Sequence, residues 1–129
     1  MTRRAVQTSN APAAVASYSQ AIDTGSYLFC AGQIGLDPTT IDMVEGGVAA
    51  EAARALNNLI AVLDAAGLTF SDVVKTTCFL ADINDLAAFN EVYGKFMPTP
   101  PPARATFAVA ALPKGARVEI EAIAVRSSD

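Results

Sequence analysis

The 129-residue chain has no histidine, only two cysteines and few charges. Each scarcity narrows what the protein can do. Without histidine or a cysteine cluster, a zinc site or a Ser-His triad has no ligands or base to draw on. Acid–base chemistry near neutral pH must then use a carboxylate, tyrosine, lysine or water. Cys30 and Cys78 form no C-x-x-C pair and each lies in an apolar, strand-like run. They read as small buried thiols in a reducing compartment.

Charged residues make up 17% of the chain, against about 25% in ordinary domains. The nine basic residues are scattered, Arg3-Arg4 is their one cluster, and the net charge is −4. Nucleic acid and anionic membranes need a basic face, so neither is an expected partner. Long apolar runs are also missing. The best candidate, 55–63, is broken by Asn57 and Asn58 and falls short of the ~20 residues of a spanning helix. Residues 6–10 (V-Q-T-S-N) supply no apolar core behind Arg3-Arg4, so no export signal is read and a cytoplasmic location is expected.

What is present is apolar: 52% of residues, much of it alanine. Two explanations fit, a monomer with many buried alanines or a protomer covered by copies of itself. With no repeat or linker, one domain is expected over 1–129. A chain of this size hides roughly two thirds of its unfolded surface.

Residues 18–23 and 27–33 are strand-like around Thr24-Gly25-Ser26, which predicts a hairpin. Residues 36–47 contain D-P-T-T and G-G and predict a turn-rich loop, with a short strand near 41–44. In 48–66, Val48, Ala52, Leu56, Leu59, Leu63 and Ala66 recur at helical spacing, and Gly67 stands where a helix-ending glycine belongs. Residues 73–80 predict a strand. Asn84 is the expected cap of a second helix, 85–97, with Leu86, Phe89, Tyr93 and Phe96 as its apolar stripe. Three consecutive prolines in 99–102 favour an extended connector. Strands follow at 103–110 and 117–126, with a turn at Leu112-Pro113-Lys114-Gly115. The series β-β-(β)-α-β-α-β-β is an α+β layout with helices against one sheet face.

The last strand is chemically uneven. Val118, Ile120, Ala122 and Ala124 share one face, while Glu119, Glu121, Ile123 and Val125 share the other. Such a mixed face suits a sheet covered by another subunit, with a polar pocket at one end. A strand end fraying into water is the competing account.

Several segments together resemble the RidA family (also called YjgF or endoribonuclease L-PSP). They are N-A-P-A-A-V-A-S-Y-S-Q-A at 10–21, A-G-Q-I-G-L-D-P at 31–38, D-V-V-K-T-T-C-F-L-A-D at 72–82, N-D-L-A-A-F-N-E-V-Y at 84–93 and the P-A-R, L-P-K-G and V-E-I-E-A-I-A motifs of 102–126. The resemblance implies a chorismate-mutase-like α+β fold and a homotrimer with pockets at the subunit interfaces. It implies cofactor-independent hydrolysis of 2-imino and enamine acids, such as 2-iminobutanoate and 2-iminopropanoate, to 2-keto acids and ammonia. It places Arg104 as the carboxylate-binding arginine, a role suited to a planar guanidinium fork. It places Glu119 as the group that handles water and the leaving nitrogen; Glu121 faces the same way and is the alternative. Tyr18, Gly32, Asn90 and Thr106 fall at substrate-binding positions. The chain departs from many members in two places: Ala16-Ser17 precede Tyr18 instead of Gly-Pro, and Thr106 replaces a cysteine. Thiol oxidation therefore cannot switch that position.

If the last two strands form a hairpin, Arg104 lies opposite Ile123 and Glu119 opposite Ala108. That separates Arg104 and Glu119 by roughly 13 Å and predicts that the working pair comes from two chains. The competing readings are a non-catalytic trimer that binds keto acids, an RNA-cleaving protein, and a chaperone-like interaction protein. The acidic balance and missing histidine make RNA cleavage the weakest of these.

Overall fold

Helical periodicity and apolar alternation resolve into two helices and six strands in the computed structural model, which describes residues 2–127. The elements are β1 (Arg4–Val6), β2 (Ala21–Asp23), β3 (Tyr27–Gln33), α1 (Gly47–Ala65), β4 (Val73–Leu80), α2 (Leu86–Phe96), β5 (Ala103–Ala108) and β6 (Val118–Val125). The strands form one sheet in the order β1-β2-β3-β6-β4-β5. Every pairing is antiparallel except that of β4 with β5. The expected α+β class, two helices against a mostly antiparallel sheet, is what the chain adopts. Among the described residues no helix is long and apolar enough to cross a membrane.

The helix α1 forms where the periodicity placed it. Its Ala52, Ala55, Leu56, Leu59, Val62 and Leu63 are fully buried against the sheet. Burying each leucine contributes about 1.5–3 kcal/mol. The helix ends as expected at Gly67, whose φ is 77°. The N–H of Gly67 donates to the Asp64 carbonyl and that of Leu68 to the Leu63 carbonyl, each at 2.9 Å, a Schellman closure. On β6, Val118, Ile120, Ala122 and Ala124 supply the facing wall of the core.

Two buried polar groups on α1 tie down neighbouring chain, Asn58 the loop that follows β3 and Glu51 the segment that leads into β6. Asn58 Nδ2 donates to the carbonyls of Ile34 (3.2 Å) and Leu36 (3.0 Å). Glu51 Oε1 accepts the Arg117 N–H at 2.8 Å. The far end of the sheet is stapled by Asp23, which is 1% exposed. It accepts the Gly25 N–H at 2.8 Å and pairs with Arg126 (2.8 Å) and Arg4 (3.2 Å). The Gly25 N–H and the two guanidinium groups hold its carboxyl below the usual carboxylate value, against the opposing effect of burial.

Several local expectations are corrected. The first hairpin exists, but its strand starts at Ala21, so Tyr18 lies in the preceding loop. That loop is held by Gln20, a buried side chain that takes the Thr8 N–H and donates to the Thr8 and Pro12 carbonyls. Strand β1 was not foreseen; three residues carry too little alternation to read. The short strand near 41–44 is a single bridge between Leu36 and Met43. Asp82, not Asn84, does the capping: its side chain accepts the Asn84 N–H and opens a 3-10 turn ahead of α2.

The largest correction concerns the end of the chain. Strands β5 and β6 are not a hairpin, because β4 lies between them. Arg104 pairs with Thr76 on β4, and Glu119 with Phe79. A parallel β4–α2–β5 crossover puts β5 at the sheet edge, and the segment after it carries β6 back to the far side of β4. A long connection from β5 to β6 can look like a hairpin in sequence, but only the sheet order tells which neighbour each strand takes.

Candidate active site

The parallel register decides which way the β5 side chains point. Arg104 and Thr106 pair with Thr76 and Cys78, which are fully buried beneath α2. Arg104 therefore emerges on the helix side, at the open edge. Its guanidinium carbon sits over the Tyr93 ring at 4.8 Å from the centroid, with the Phe89 ring at 5.9 Å. The guanidinium forms no hydrogen bond or ion pair with another described residue. It borders a pocket of about 440 Å³ whose lining includes Asn90, Tyr93, Gly94, Met97, Pro101 and Pro102. Residues 90, 93, 94 and 97 follow the i, i+3, i+4, i+7 spacing of one helix face. The proline connector forms the opposite rim.

Thr106, two residues along β5 on the same face as Arg104, is half-buried, and its Oγ1 has no hydrogen-bond partner among the described residues. A buried hydroxyl without a partner costs about 1–3 kcal/mol, so it is a donor in want of an acceptor. Its cross-strand neighbour Cys78 is a poor one: burial pushes that thiol up to about 11, so it stays protonated and accepts weakly.

The second group of expected residues gathers on the other face. β3 bulges between Cys30 and Gln33, where it takes three steps against two on β6. The bulge brings Gly32 against Glu119. A Cβ on Gly32 would overlap Glu119 Oε2 and stand 2.9 Å from its Cδ. The missing Cβ thus leaves room for the Glu119 carboxyl of the same chain. Glu119 is partly buried, and that burial, with the Glu121 carboxylate second, pushes its carboxyl above the ordinary glutamate value. Glu121 is exposed on the same face. Tyr18, 53% exposed, lines an open depression with Ile22, Phe29 and Ala31.

The expected residues thus fall into two sets. Arg104, Asn90 and Thr106 lie around the β5 edge and α2. Tyr18, Gly32 and Glu119 lie around β3 and β6, and within one chain no described pocket holds both sets. Around Glu119 the sheet face is aromatic and open: Tyr27, Phe29 and Phe107 are each nearly half exposed. Large aromatic residues left this exposed on one sheet face mark a candidate interaction face. Sequence reasoning missed Tyr93 and Thr76 as parts of the site. Tyr93 was read as core stripe, and the signal that distinguishes it, its spacing from Asn90 and Met97, has meaning only once the proline rim is seen.

An α+β domain with a six-stranded sheet and an arginine at the sheet edge bordering a small-molecule-sized pocket is the class of protein that the fold and site define. Comparison with known proteins agrees on its kinship. The endoribonuclease L-PSP family model matches residues 8–126. The chain is 54% identical over 127 residues to Protein DfrA of Myxococcus xanthus, covering 97% of each. It is 53% identical over 124 residues to 2-iminobutanoate/2-iminopropanoate deaminase of Rattus norvegicus, covering 96% of this chain and 90% of that one. The crystal structure of RidA from an Antarctic Psychrobacter superposes with a TM-score of 0.92 at 45% identity, covering 96% of this chain and 100% of that one. The protein belongs to the RidA/YjgF/endoribonuclease L-PSP family.

Proposed function

We propose that the protein is an imine deaminase that hydrolyses 2-imino acids to 2-keto acids and ammonia. The observation that carries this reading is the guanidinium of Arg104, stacked on the Tyr93 ring, with no hydrogen bond or ion pair to a described residue, and bordering a pocket of about 440 Å³. A guanidinium fork takes a carboxylate through two parallel hydrogen bonds. The relatives at about half identity that are named as 2-iminobutanoate/2-iminopropanoate deaminases support the same chemistry.

In the proposed mechanism Arg104 clamps the substrate carboxylate, and Thr106, Asn90 and Tyr18 orient the imine. Glu119 takes a proton from water as its oxygen bonds to the imine carbon and the C=N electron pair moves to nitrogen. That proton passes to nitrogen to give a carbinolamine; Glu119 then takes the carbinolamine hydroxyl proton and delivers it to nitrogen as the C=O bond forms and the C–N bond breaks, so that ammonia and the keto acid leave. Acid–base help of this kind is worth about 10²–10⁴-fold. No cofactor enters the scheme. Because Arg104 and Glu119 emerge on opposite sheet faces of one chain, a working site needs two chains. A homotrimer whose neighbours cover the Phe29 and Phe107 face supplies them.

The test generates 2-iminobutanoate and 2-iminopropanoate in situ and follows keto-acid release, with Arg104→Ala as control. Acceleration by the wild type that the variant lacks is the expected result. A folded wild-type protein that gives no acceleration defeats the deaminase reading for these substrates. Retained binding of 2-oxobutanoate would then favour a metabolite-binding trimer.

A further inference from the structure

The sequence offers Tyr93 as one more apolar residue on the buried stripe of α2. Its surroundings give it a second task. The ring lies under the Arg104 guanidinium at 4.8 Å, tilted 40° to the Phe89 ring at a centroid distance of 5.5 Å. The phenol is in turn tied down: its oxygen lies 2.6 Å from Thr76 Oγ1, and both residues are buried. Thr76 is the β4 residue directly across from Arg104. The chain Arg104–Tyr93–Thr76 therefore closes on itself through the β4–β5 ladder.

We propose that Tyr93, anchored by Thr76, is a positioning residue that holds the Arg104 guanidinium ready for carboxylate capture. The inference rests on the role given to Arg104 under the proposed function. An exposed arginine on an edge strand loses much rotamer freedom on engaging a ligand. A protein carboxylate would restrain it but would occupy the donors that substrate needs. A ring face restrains it electrostatically through the π cloud and leaves the N–H fork unspent. The interaction needs the ring in place, and the Thr76 hydroxyl stops it from turning with α2. Because the carboxylate is present in substrate and transition state alike, loss of this restraint appears in KM and not in kcat.

The experiment measures 2-oxobutanoate affinity by calorimetry, KM and kcat, and the Arg104 Nε–Hε resonance by NMR. The proteins are wild type, Tyr93→Phe, Tyr93→Leu, Arg104→Ala and Leu63→Ala, the last a core truncation on α1 outside the pocket. The wild-type resonance is expected to be ring-current shifted, to keep only part of that shift in Tyr93→Phe, which retains the ring but loses the Thr76 tie, and to lose the Tyr93 contribution in Tyr93→Leu. Affinity in Tyr93→Leu is expected to fall roughly 2- to 30-fold, the span of a cation–π contact, with kcat held. Leu63→Ala loses stability without that KM change. If Tyr93→Leu does not fold, Thr76→Val replaces it, with a smaller loss of affinity expected and Thr76→Ser restoring it. Arg104→Ala that weakens binding while the Tyr93 or Thr76 variant leaves both affinity and resonance unchanged overturns the positioning role alone. Arg104→Ala that leaves binding unchanged defeats the proposed function and this role with it.

Discussion

Replacing Gly32 with alanine should disable the site without unfolding the protein. The added Cβ would overlap Glu119 Oε2 and lie 2.9 Å from Cδ and 3.0 Å from Cγ. Carbon atoms rest at about 3.5–4.0 Å, so the carboxyl must retreat by roughly 1 Å. It can do so, because it is the far end of a flexible side chain and the sheet face beside it is open. The backbone need not move. A displacement of about 1 Å in a reacting group costs on the order of 10²-fold in rate. The expected outcome is a loss of that order in kcat for 2-iminobutanoate. The melting temperature should change by only a few degrees, and 2-oxobutanoate should still bind through Arg104. Gly35→Ala provides the contrast: there the new Cβ meets the α1 backbone, 2.7 Å from Glu51 Cα, which cannot yield. That variant should lose about 1–3 kcal/mol of stability. Full turnover by Gly32→Ala would refute the placement of Glu119 in the chemistry. A stability loss equal to that of Gly35→Ala would refute the claim that the carboxyl yields while the backbone stays in place.

Two further outcomes depend on pH. Glu119 must be ionised to take a proton, and burial with Glu121 beside it raises its pKa; activity should therefore fall with acidification at a pH above the ordinary glutamate value, and Glu121→Gln should move that limb back toward it. Asp23 behaves in the opposite sense. Its folded pKa is depressed, first by the Gly25 N–H and then by Arg126 and Arg4, so the stability it contributes is present above its unfolded value of about 4 and is lost as pH falls through the lower, folded one. Denaturant titrations from pH 7 to pH 2 should show a wild-type decline in that acid window which Asp23→Asn lacks, the variant being less stable at pH 7. Parallel curves for the two proteins would remove Asp23 from the account.

Candidate site residues could be nominated from sequence, but their arrangement could not. Arg104, Glu119, Tyr18, Gly32, Asn90 and Thr106 stand in motifs whose order and spacing survive as text. The α1 helix, its Gly67 ending and the buried face of β6 were also legible, because periodicities of 3.6 and 2 record which face meets the core. Local patterns carry no information on which strand lies beside which. Placing β4 between β5 and β6 turned an assumed hairpin into a parallel crossover. It sent Arg104 to the helix side and Glu119 to the other, and it brought Thr76 across from Arg104. The same contrast explains Gly32 and Tyr93. A missing Cβ is visible in sequence, but the bulge that aims it at Glu119 is not. A tyrosine on an apolar stripe reads as core until the fold sets a guanidinium on its ring. Composition and periodicity determined the class of fold and the chemistry available to it, because those depend on side-chain type and local geometry. Strand order, register and the bulge decided which groups meet, because those are fixed by pairings between residues far apart in the chain.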